Sequence, residues 1–178
     1  MTDSRPAGHD EASISLEDAI HAEDGGIVDV EEPCQQVVLF TLSGQPYALP
    51  GTAVTEILKG DTPVYFVPGL PSSTEGVIHL RGTIESLVRL QPLLGLTESN
   101  AEGMLLMVRS AGIRTAVRID QLNDVCDLPL SAFKAPPETL PDALRPFVSA
   151  LWQPEEARVA TALLDPDALL KAYQQGLG

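Results

Sequence analysis

The sequence predicts a mainly β domain, a barrel or a sandwich, with one helix closing the C-terminal end. Two observations carry this. Between Gln35 and Leu164, short apolar stretches that alternate with polar residues recur with turn signals roughly every eight to twelve positions. Only the last stretch, from Pro166 to about Gln174, combines helical spacing of Leu169, Leu170 and Tyr173 with helix-start residues: Asp165 as N-cap, Pro166 first and Asp167 in the first turn.

Taken in order, the chain opens on an acidic segment. Up to Pro33 it carries Asp3, Asp10, Glu11, Glu17, Asp18, Glu23, Asp24, Asp29, Glu31 and Glu32 against a single base, Arg5. Such a segment cannot bury enough apolar surface to offset its ordering entropy, so residues 1–33 are expected to form a disordered tail. One amphipathic island, Ser15 to Ile20, is too short to be helical alone and could fold on a partner. From Gln36 to Leu42 a strand places Val38, Phe40 and Leu42 on one side. Ser43-Gly44-Gln45 is a turn, and Tyr47 to Leu49 is the returning strand. Gly51 to Ala53 reads as one helical turn, Val54 to Leu58 as a strand, and Gly60 to Pro71 as a proline-punctuated loop.

The stretch Glu75 to Leu96 organises the rest. Ile78, Leu80, Ile84, Val88 and Leu90 occupy even positions, with His79, Arg81, Thr83, Glu85 and Arg89 between them. A three-residue loop Arg81-Gly82-Thr83 would pair Leu80 with Ile84 and keep the even residues on one face. A single strand bent at Gly82 would preserve the same phase. Either way Arg81 sits at an exposed corner beside a glycine able to take positive φ. Pro92 to Gly95 forms a helical turn. Met104 to Arg109 and Ile113 to Ile119 form a second hairpin, Val125 to Leu128 is a strand, and Phe147 to Trp152 pairs with Ala157 to Leu164 around Pro154-Glu155-Glu156.

Composition narrows the function. At 178 residues the chain makes one domain, or two small ones. A net charge of −14 argues against nucleic acid or an anionic membrane as partner. No apolar run approaches the ~20 residues of a membrane helix, and acids stand where a secretory signal needs bases, so the expected location is cytoplasmic. Cys34 and Cys126 are far apart and in no metal-ligand spacing. With His9, His21 and His79 as the only histidines, neither a metal cluster nor a Ser-His-Asp triad is readily built, and no glycine loop cradles a phosphate. Glu85 beside Arg81 could be drawn as a catalytic carboxylate with its modulator, but a cross-loop surface ion pair explains both. Arg114 and Arg118 read as a solvated strand face. The expectation is no enzyme, no cofactor and no metal.

At Gly76-Val77-Ile78-His79-Leu80-Arg81-Gly82 the chain resembles the CheW family of chemotaxis coupling proteins, whose pattern runs G-V-I-N-L-R-G-x-I-x-P-V-I-D-L-R and then F-G-L. Ile84, Val88, Leu90 and Gly95-Leu96 continue in register; Val54-Thr55-Glu56-Ile57 is similar to the family's V-x-E-I, and Ile119 to Val125 to its V-D-x-V-x-x-V. The resemblance covers residues 35–173. It implies two intertwined SH3-like five-stranded β-barrels with short helical turns and a C-terminal helix. It also implies a non-catalytic adaptor, located at receptor arrays near the inner membrane. Such an adaptor couples the cytoplasmic hairpin tip of methyl-accepting chemoreceptors to the CheW-like regulatory domain of a CheA-type histidine kinase, without entering the membrane itself.

By that resemblance Val54, Glu56 and Arg81 lie on the receptor face, and His79, Glu85 and Arg89 are further candidates for a partner face. The departures are His79 for the family's Asn, Ser86 for its Pro, Arg89 for its Asp and Gln91 for its following Arg. They leave room for a divergent coupler in a pilus-type system, or for an accessory module that binds the kinase or a localisation factor without receptors. A small β-barrel enzyme is the remote alternative.

Overall fold

In the computed structural model the described residues are 31–176. The expected disordered tail therefore lies almost wholly outside them. From Pro33 onward the chain forms one compact unit of two six-stranded sheets. Strands β1 (Cys34–Leu42) and β2 (Gln45–Pro50) open the first sheet. The chain then leaves it to build the whole second sheet from β3 (Val54–Lys59), β4 (Val64–Tyr65), β5 (Thr74–Leu80), β6 (Thr83–Arg89), β7 (Met104–Ser110) and β8 (Ile113–Ile119). It returns with β9 (Gln121–Pro129), β10 (Phe133–Lys134), β11 (Val148–Trp152) and β12 (Thr161–Leu164). The first sheet runs β10-β11-β12-β2-β1-β9 and the second β3-β7-β8-β6-β5-β4. Each holds five strands of ordinary length plus one of two residues, and the second is inserted between two parts of the first, which is the intertwining expected. Helix α1 (Gln91–Leu94) ends on Gly95 at φ 66°, and helix α2 (Pro166–Gln175) starts under Asp165, whose carboxylate accepts from the backbone N–H groups of Asp167 and Ala168.

Many strands bury both faces, because a core lies on each side of them. Val38, Phe40 and Leu42 of β1 meet Tyr47, Leu49, Val88, Leu90, Leu106, Val108, Val117, Ile119 and Leu164 in a core shared by the two sheets. The intervening Val37 and Leu39 face a smaller core of the first sheet with Ala48, Leu128 and Leu163. Ile78, Leu87, Leu105, Met107 and Ala116 fill the corresponding core of the second. Leu169, Leu170 and Tyr173 of α2 press onto the shared core, as their helical spacing predicts. At ~1.5–3 kcal/mol for each large side chain buried, the shared core binds the sheets into one body.

The organising hairpin corrects the sequence reading. Its loop has two residues, not three: Leu80 pairs with Thr83, His79 with Ile84 and Ile78 with Glu85. Arg81 at φ 48° and Gly82 at φ 84° both take the left-handed region, as a type I′ turn requires. The same residue pattern recurs at Ser43-Gly44 and Ala111-Gly112, so the β1–β2, β5–β6 and β7–β8 hairpins each turn on an x-Gly pair. Dropping one loop residue shifts the phase of β6 by one. Ile84 is consequently 73% exposed, and Leu87 rather than Ser86 shares the interior with Ile78. Val88 and Leu90 remain buried, but in the shared core. Elsewhere the loop from Gly60 contains β4, β9 is longer than expected, and the predicted strand over residues 157–164 narrows to β12.

Candidate functional site

Strand β3 and the tip of the β5–β6 hairpin meet at one corner of the second sheet. In strand order β3 and β5 are separated by three strands, so their contact shows the sheet curling toward closure. Arg81 Nη2 donates to Glu56 Oε1 at 2.8 Å. The Arg81 side chain is nonetheless 77% exposed, while that of Glu56 is 22% exposed. An exposed pair of this kind adds only ~0–1 kcal/mol to stability, so its value is in aiming the guanidinium. Val54 begins β3, half-buried against the shared core, and a register shift separates it from Glu56. The structure thus joins Glu56 to Arg81 directly, with Val54 two residues up the same strand.

His79 is exposed and stands opposite Ile84 across the hairpin. With Tyr65, Val77 and Ile78 these two line a shallow surface depression. Beside it the loop after β4 carries Phe66, 80% exposed, and Val67, while Tyr65 is 59% exposed. Gly76 permits the close fit: a Cβ there would lie 2.5 Å from the Tyr65 carbonyl oxygen, so β4 rests on bare backbone. Alternation does not reveal this apolar surface, because a proline-punctuated loop gives no periodic signal and a three-residue turn would place Ile84 inward.

Glu85 and Arg89 do not face outward freely. Glu85 pairs with Arg114 at 3.3 Å and its side chain is 11% exposed, so its partner is not Arg81 as expected. Arg118 is buried rather than solvated. It is 6% exposed on the central strand β8, with Nε donating to Glu75 Oε2 at 2.7 Å and Nη2 to Glu75 Oε1 at 2.8 Å. Arg89 shares that carboxylate, donating from Nε at 3.1 Å and from Nη1 to the Ser99 carbonyl at 2.7 Å. The arginine that replaces an acid of the family pattern is therefore answered by Glu75 within the chain. Gln91, in place of the pattern's Arg, is buried with Nε2 on Asp120 at 3.5 Å and Oε1 without a hydrogen-bond partner.

Cys34 and Cys126 are not joined by a disulfide. Burial first, then the charges of Asp124 and Asp127, raise the Cys126 pKa and keep it protonated. Among the described residues no group of three or more His, Cys, Asp or Glu is placed to hold a metal ion, and no helix is long and apolar enough to cross a membrane. The corner offers an aimed guanidinium, and the β4 side of the hairpin offers exposed apolar side chains.

Residues 36–174 match the family model described as the CheW-like domain. The chain belongs to the CheW-like family. Its sequence is 29% identical over 106 residues to the chemotaxis protein CheW of Bacillus subtilis (strain 168), a match spanning 58% of this chain and 67% of that one. Its fold matches the crystal structure of the scaffolding protein TtCheW from Thermoanaerobacter tengcongensis with a TM-score of 0.66 at 21% identity, covering 75% of this chain and 90% of that one. The expected CheW-like fold, mainly β in two SH3-like sheets with a short C-terminal helix, is thus borne out.

Proposed function

We propose that this CheW-like protein is a non-catalytic chemosensory adaptor that couples chemoreceptors to a CheA-type histidine kinase in cytoplasmic arrays beside the inner membrane. The observation that carries the reading is the Glu56–Arg81 pair, which holds a largely exposed guanidinium at the barrel corner. The receptor's cytoplasmic hairpin tip is helical. Val54 supplies an apolar contact for it, and Glu56 and Arg81 set its orientation. The kinase's CheW-like regulatory domain takes the second surface, where Tyr65, Phe66, Val67 and Ile84 lie exposed together beside His79. Support for two separate faces comes from their chemistry: one is charged and the other apolar, with aromatic side chains of the kind that anchor interfaces.

Arg81→Glu tests the receptor face. It should weaken binding of a receptor hairpin-tip fragment by ~10-fold or more in co-sedimentation while melting stays within a few degrees, because an exposed pair contributes little to stability. Restoring the pair in reverse, with Glu56→Arg added, should not restore receptor binding. Unchanged binding by Arg81→Glu would remove the receptor reading. It would leave the alternative of an accessory module that binds only the kinase.

A further inference from the structure

The segment carrying Tyr65, Phe66 and Val67 leaves β3 at Gly60 and enters β5 at Thr74, next to Glu75. One buried side chain holds both ends. Arg118 Nη1 donates to the Gly60 carbonyl at 3.2 Å, while Nε and Nη2 grip the Glu75 carboxylate. The same Nη1 also donates to the Glu102 carbonyl, tying in the segment before β7. Backbones approach closely here: a Cβ on Gly60 would collide with the carbonyls of Gly103 and Glu102. Arg89 completes the closure. Its side chain shares Glu75, and its backbone N–H donates to the Ser73 carbonyl at 2.8 Å. Between these anchors β4 contributes only a two-residue pairing, Val64 with Ile78 and Tyr65 with Val77. So short a ladder does not fix a loop of this length against its conformational entropy.

We propose that Arg118 is a positioning residue for the docking loop, holding Tyr65, Phe66 and Val67 in the arrangement the kinase regulatory domain recognises. This rests on the kinase-docking reading above. Arg118 touches no partner. It acts by keeping the loop's two ends together, so that the apolar surface is already formed when the partner arrives. If losing the clamp reduces the competent loop to about a tenth of the population, the apparent Kd rises ~10-fold with no contact altered.

The test uses the full chain with Arg118→Met, which leaves the Glu75 carboxylate paired with Arg89 rather than stranded. Arg118→Lys is the companion: it keeps the charge but has no planar fork to span the carboxylate and the two carbonyls. Hydrogen exchange reads the loop. The amides of Thr62 and Thr74, which donate to the Lys59 and Pro71 carbonyls, should exchange ~10-fold faster, while those of β7 and β8 stay protected. Binding of the isolated kinase regulatory domain should weaken by a similar factor, and binding of the receptor tip should not change. Loop amides as protected as in the unaltered chain would overturn the proposal, and so would loosening spread evenly through both sheets. Phe66→Ala separates the two claims. If it leaves kinase binding intact, the docking reading fails, while hydrogen exchange still decides whether Arg118 clamps the loop.

Discussion

A side chain at position 82 would meet open space, yet the backbone there excludes most residues. Gly82 has φ 84° and nothing within 4 Å of a built Cβ. Any cost of substitution is therefore conformational rather than steric packing. Gly82→Val should lose ~1–2 kcal/mol, because a β-branched residue resists the left-handed region. Melting should fall by roughly 2–4 °C per kcal/mol lost, whereas Gly82→Asn, which tolerates that region, should cost clearly less. Equal melting temperatures for the two variants would show that the turn relaxes out of positive φ. Arg81 shares the strain at φ 48°, which the turn imposes on whatever residue stands there. Its side chain is thereby delivered to Glu56 rather than to Glu85, the carboxylate that lies nearer in sequence.

The β5–β6 hairpin marks where reading the sequence succeeds and where it stops. The turn glycine, the exposed corner and the burial of Ile78, Val88 and Leu90 were legible from alternation. The register was not, since two- and three-residue loops use the same letters and differ by one step of phase. Double burial hid the same information in β8. Thr115, Ala116, Val117, Arg118 and Ile119 are all buried, so the alternation of polar and apolar residues there did not mark an inside and an outside. A buried arginine looks like a solvated one until its carboxylate, 43 positions away, is brought alongside. The corrected register carries its own prediction. Ile84 lies outside every core, so Ile84→Asp should change stability by no more than ~0.5 kcal/mol in denaturant unfolding, while weakening binding of the kinase regulatory domain. A large loss of stability would return Ile84 to the interior and restore the three-residue loop.

For the molecule as a whole, the insertion of one sheet into the other matters most. β1 and β2 enter the first sheet, β3 to β8 build the second, and β9 to β12 return, so neither sheet can be detached without cutting the chain. Within the second sheet, Leu58 of β3, Val64 of β4 and Leu80 of β5 pack against one core, which fixes the charged corner and the apolar surface in one frame. An adaptor needs that property, because two partners held on a rigid body take up a defined relative geometry. The most direct measurement is the rate of kinase autophosphorylation in a mixture of receptor signalling fragments, kinase and this protein. The rate should respond to receptor only when the protein is present. It should lose that response with Arg81→Glu, which keeps the kinase surface, and with Phe66→Ala, which keeps the receptor surface. A receptor response that persists without the protein, or that survives both substitutions, would contradict the account.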